Sequence, residues 1–79
     1  MIDEKFLIKK IQEKIRNNSK FFKFLETELE KEECKKNPDE NFIFNTMQMM
    51  ARAEVTIAVY KDVIKIIKNK EFDNNDLIN

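Results

Sequence analysis

With 79 residues the chain has room for one domain and no second core. Gly is absent and Pro occurs once, which removes most of the turn vocabulary that sheets require. Fifteen basic residues balance fifteen acidic ones, so no bulk charge draws the molecule to nucleic acid or to a membrane surface.

Residues 3–36 read as a helix. Ile8, Ile11, Ile15, Phe22, Leu25 and Leu29 fall on alternating three- and four-residue steps, and Asn18 and Glu32 occupy the two remaining places in the register. That spacing is a coiled-coil-like seam. Asn17, Asn18 and Ser19 are a candidate break, because all three compete for backbone hydrogen bonds. The seam keeps its phase across them, which favours one helix, kinked at most, over two.

The joint is expected near Asn37. Asn37 offers an N-cap side chain, Pro38 a first-turn residue that needs no N–H partner, and Asp39 and Glu40 negative charge at the helix start. Glu40 stands three residues after that cap, the spacing of a capping box. A second helix over 38–70 follows, and two rods of similar length with a tight joint imply an antiparallel hairpin. Residues 71–79 turn polar and read as a partly disordered tail.

The second helix carries two apolar sets. Ile43, Met50, Ala53, Ile57, Tyr60, Ile64 and Ile67 form the seam assigned to the first helix. Phe44, Met47, Ala51, Val55, Ala58 and Val59, continuing through Val63 and Ile66, have no partner within the hairpin. A helix that is apolar on most sides must be covered from several directions. Either the second set is core in a four-helix-bundle homodimer, or it docks a foreign protein. Arg52 and Glu54, two positions apart, point to different sides and are expected at the rim of an interface or in contact across it. The protein-interface residues are therefore taken as Phe44, Met47, Ala51, Glu54, Val55, Ala58 and Val59.

Residues 1–25 are predominantly basic and residues 26–40 predominantly acidic, the reverse of what a helix dipole prefers. Folding the hairpin returns Lys61, Lys65, Lys68 and Lys70 to the basic half. Two hairpins packed antiparallel would set basic end against acidic end, so an antiparallel homodimer is expected. Lys5, Lys9, Lys20, Lys61 and Lys65 are the residues available for nucleic-acid contact, with Phe21, Phe22 and Phe24 available to stack on bases.

Catalytic chemistry finds no foothold. P-loop, dinucleotide, nucleophile-elbow and zinc patterns are all missing, and without His the Glu-x-x-His of helical di-iron bundles is unavailable to this sequence. Cys34, among Glu32, Glu33 and Lys36, lies in surroundings that do not activate a thiol. No enzyme activity, catalytic residue, metal, cofactor or small-molecule substrate is expected. Arg52 and Glu54 interrupt the apolar run over 47–67, leaving less than the ~20 residues of a membrane span. With no basic-then-apolar leader at the start, a cytoplasmic location is expected.

The opening Met1-Ile2-Asp3-Glu4-Lys5, a charged first helix, and a second helix reading Ala51-Arg52-Ala53-Glu54 and then Tyr60-Lys61-Asp62-Val63-Ile64-Lys65 together resemble the small helical-hairpin accessory proteins of phages and prophages of low-GC bacteria. The resemblance implies a non-enzymatic role, binding and sterically inhibiting a host protein, as anti-CRISPR and other anti-defence proteins do; it carries no functional residue over. Plasmid copy-number hairpins that dimerise and clasp RNA share the architecture. The alternative is accordingly a dimeric nucleic-acid-binding regulator working through the basic ends, and the third reading a structural assembly subunit.

Overall fold

The computed structural model describes residues 3–69, and within them the chain is an all-α helical hairpin. Helix α1 spans Glu4–Glu33 and α2 spans Glu40–Lys68. At ~1.5 Å per residue each is roughly 45 Å long. The expected tail over 71–79 lies outside the described residues; α2 ends at Lys68, with Asn69 as its C-cap, instead of at the expected 70.

Helix α1 starts on Asp3, whose side chain accepts from the Lys5 backbone N–H at 3.0 Å. It then runs unbroken through Asn17, Asn18 and Ser19. The Asn18 side-chain amide donates to the Lys14 carbonyl one turn back, at 2.8 Å. Its competing polar group is thereby satisfied without opening the helix.

The two seams meet as their spacing requires. Ile11 and Leu25 of α1 and Ala53 of α2 are buried, while Ile8, Ile15, Asn18, Phe22 and Leu29 face Ile43, Met50, Ile57, Tyr60, Ile64 and Ile67 as half-buried neighbours. Phe22 and Leu29 border the same hollow as Met47 and Met50, and Ser19 and Phe22 share another with Ile57. Rising numbers on one rod meet falling numbers on the other, so the helices are antiparallel. Thr46, buried at the place between Ile43 and Met50, completes the α2 seam; as a polar residue it escaped the apolar pattern. Among the described residues no large side chain is fully buried. The core of one hairpin is a single line of contacts.

The joint differs from the expected one. Helix α1 stops at Glu33 rather than 36, α2 starts at Glu40 rather than 38, and residues 34–39 make the connection. Asp39, not Asn37, is the N-cap: its carboxylate accepts from the backbone N–H groups of Asn41 at 3.0 Å and Phe42 at 3.2 Å. Asp39 is held in that place from both sides, its N–H bonded to the Glu32 carboxylate of α1 and its own carboxylate to the first turn of α2. Glu40 is then one residue past the cap instead of three, which removes the capping box. Its reciprocal half comes from the other helix: the Glu32 carboxylate accepts from the Asp39 backbone N–H at 3.0 Å and from Lys35 Nζ at 2.9 Å. No described residue has a positive φ, so the chain reverses without glycine or its left-handed geometry.

Glu32 is buried in the seam, and the Asp39 N–H, followed by Lys35, holds its carboxyl below the ordinary value of 4.5, against the opposing effect of desolvation. A depressed folded-state pKa contributes stability that is present above the ordinary value and is lost as pH falls through the folded one. Glu32→Gln should therefore lower the melting temperature at pH 7, with the two proteins converging as the pH is taken well below 4.5 in circular-dichroism melts. Asp39→Ala, which strips the α2 cap, should cost about 1 kcal/mol at pH 7, a fall in Tm of roughly 4–8 °C for a domain of this size.

Candidate interaction surface

With the seam of α2 turned to α1, the second apolar set lies on the opposite side of the rod. Phe44 is 61% exposed, Met47 56%, Val55 62%, Val59 53% and Ile66 62%, and Ala51, Ala58 and Glu54 are exposed with them. Every residue expected at a protein interface is thus at the surface of the single chain. Val63, which the sequence grouping placed in this set, is half-buried. It lies three residues from Tyr60 and four from Ile67, on the flank of the inner seam.

Six exposed positions run along the middle of the outer face: Phe44, Gln48, Ala51, Val55, Ala58 and Asp62. Their steps of four and three residues are the spacing of a second coiled-coil seam, on the other side of the helix from the first. One flank carries Met47, Glu54, Lys61 and Lys68, the other Asn45, Arg52, Val59 and Ile66, each set repeating every seven residues and all exposed. Gln48, Lys61 and Asp62 belong to this surface although an apolar count passes over them; the seven-residue repeat from Phe44 is the signal that finds them.

Arg52 and Glu54 stand on opposite flanks. Arg52 borders a hollow of about 250 Å³ with Asn18, Phe21, Met49, Ala53 and Thr56. Glu54 borders one of about 230 Å³ with Ser19, Phe22, Lys23 and Ile57. Both are open depressions between the helices. A further hollow of about 190 Å³, lined by Phe22, Leu29, Met47, Met50, Ala51 and Glu54, joins the outer face to the inner seam.

The basic residues divide. Lys5 and Lys9 near the start of α1 and Lys61 and Lys65 near the end of α2 share the open end of the hairpin, and all are exposed. Lys20 is exposed too, but it lies eleven residues beyond Lys9, roughly 16 Å along the rod. Of the aromatics considered for base stacking, Phe21 and Phe24 are exposed, whereas Phe22 is half-buried in the seam. Lys10, not Lys5 or Lys9, sits over an aromatic face, its Nζ 5.5 Å from the centre of the Phe6 ring.

Cys34 is exposed at the joint as a free thiol. No group of three or more Cys, Asp and Glu side chains among the described residues is arranged to hold a metal ion. No described helix is long and apolar enough to cross a membrane. No family model, curated protein or solved structure matches the chain.

Proposed function

We propose that this is a non-enzymatic interaction protein whose contact surface is the outer face of α2, and that it acts by binding a protein and blocking it sterically. One observation carries the reading: Phe44, Met47, Val55, Val59 and Ile66 stand more than half exposed along one side of a helix. Five large apolar side chains so placed leave on the order of 500 Å² of greasy surface on one side, in the upper part of the roughly 300–600 Å² that the largest patch of a monomer reaches, and patches of that size are often functional. The face is a long ridge bordered by open hollows, a shape suited to laying one helix against another. Where the chain serves a phage or other mobile element, as its likeness to accessory hairpins implies, the protein blocked is one of the host.

A second reading, nucleic-acid regulation through the open end, is favoured by the exposed Lys5, Lys9, Lys61 and Lys65. Salt separates the two, because phosphate contacts weaken steeply with ionic strength and apolar burial does not.

Because Met47 and Val55 are at the surface of the single chain, the double variant Met47→Asp, Val55→Asp should keep its helical circular-dichroism spectrum while losing protein contacts made by the wild type. The wild-type contact should persist between about 50 and 500 mM salt. Unchanged contacts in the variant would reject the surface; a helical signal that collapses would instead make this face part of an obligate core. An anisotropy titration with duplex and single-stranded probes that saturates at low salt and vanishes at high salt would favour the nucleic-acid reading.

A further inference from the structure

We infer that the occupant of the outer face of α2 is a second copy of the same chain, laid antiparallel in the register that brings Val55 of one copy against Ala58 of the other. The inference rests on the reading of this face as a protein-contact surface, and names what fills it in the free protein; a blocked protein and the second copy compete for the same face.

The form of the face limits what can lie on it. Phe44, Gln48, Ala51, Val55, Ala58 and Asp62 follow one another at four- and three-residue steps for almost three heptads, all exposed. Such a stripe takes a long helix lying nearly parallel or antiparallel to it. Small Ala51 and Ala58 permit close approach, and α2 itself is a helix of the required length with the matching stripe.

The charges then choose the direction. In a parallel pair in register every stripe residue meets its own counterpart, so Asp62 lies on Asp62 of the second copy, and Glu54 and Lys61 face Val59 and Ile66 of that copy. Like charges directly opposed are destabilising, and two basic open ends would lie side by side.

Reversal changes each of these contacts. Antiparallel helices alternate their stripe positions across the interface and match each flank with itself. With Val55 opposite Ala58 of the second copy, Glu54 comes opposite Lys61 of that copy and Lys61 opposite its Glu54. Asp62 comes level with Ala51 and Arg52 of the second copy, where the alanine leaves room. All four charged residues within or beside the stripe over 44–62 thereby gain an opposite partner: Arg52, Glu54, Lys61 and Asp62. Sliding the register until Ala51 meets Val55 sets Glu54 on Glu54 and Arg52 on Arg52 instead. At the scale of the whole rod, the Lys-rich open end of each hairpin lies level with the joint of the other, so the two open ends are kept apart.

The area is adequate. Symmetry doubles the apolar surface of one copy to about 1,000 Å² before any polar rim is counted, the threshold for a specific interface. Pairing α2 with α2 also leaves α1 of each copy outside, which yields a four-helix assembly without moving a backbone atom of the hairpin.

The native thiol reports the geometry. Cys34 is exposed at the joint, close in level to the start of α2. In the proposed register each joint lies roughly 25 Å along the rod from the two-fold axis, so two spin labels on Cys34 should be about 50 Å apart, against less than about 30 Å in a parallel pair. Pulsed-dipolar spectroscopy on the labelled chain, with sedimentation equilibrium on the unlabelled one, reads distance and stoichiometry. Glu54→Lys and Lys61→Glu should each weaken the dimer about tenfold, and the two together should restore it, because the exchanged charges meet again across the axis. A dimer with the short distance, or a double variant no better than the singles, overturns the register. A wild-type chain that stays monomeric at ~100 μM overturns the second copy as occupant. If Val55→Asp nonetheless abolishes binding to a foreign protein, only the identity of the occupant falls; if Val55→Asp changes nothing, the contact surface falls with it.

Discussion

One helix can cover only one side of another, and this constraint governs the molecule. Helix α2 is apolar on two opposite sides, and α1, with a single seam, satisfies one of them. The inner side gains Ile11, Leu25 and Ala53 as its buried points. The outer side keeps its Phe, Met, Val and Ile side chains at the surface, because no other element exists among the described residues to receive them. A chain of this length makes a thin core in any case, and oligomerisation or a bound partner is the ordinary remedy.

The joint shows how a glycine-free chain turns. A helix end leaves carbonyls unpaired and the next start leaves N–H groups unpaired, and glycine in a left-handed conformation is the usual device for the first. Here the Lys35 N–H bonds the Glu32 carbonyl at 3.1 Å, tightening the last turn, while the Glu32 side chain reaches forward to the Asp39 N–H. One residue thus serves both sides of the reversal. Placing a carboxylate in the apolar seam is tolerated because its oxygens are matched by a backbone donor and by Lys35. Ion pairs elsewhere, such as Lys10–Glu13 at 3.8 Å and Lys31–Glu28 at 3.7 Å, join an exposed lysine to a half-buried glutamate one turn away, and contribute little.

The uneven charge of α1, basic first and acidic later, works against its own dipole and is not neutralised by α2, whose last turn adds Lys65 and Lys68 to the basic end. A charge separation carried along the whole hairpin acquires a use when a second hairpin lies reversed beside it. The same reversal keeps the two Lys-rich ends apart and pairs the few charges of the outer stripe.

Much of this was legible in the residues alone. The three- and four-residue spacing of Ile8, Ile11, Ile15, Phe22, Leu25 and Leu29 determined the inner seam of α1, including the polar Asn18 and Glu32, because a regular helix turns by a constant angle per residue. The same arithmetic put Phe44, Met47, Ala51, Val55, Ala58 and Val59 on one outward side. Thr46, between Ile43 and Met50, and Val63, beside Tyr60 and Ile67, fall where the same steps put them. What periodicity does not carry is the identity of partners separated in sequence. That Glu32 would bond the N–H of Asp39 and that the cap would move two residues past Asn37 were decided by tertiary structure. Each depends on where the second rod comes to lie, and that position follows from side chains meeting in space rather than from any local preference of the chain.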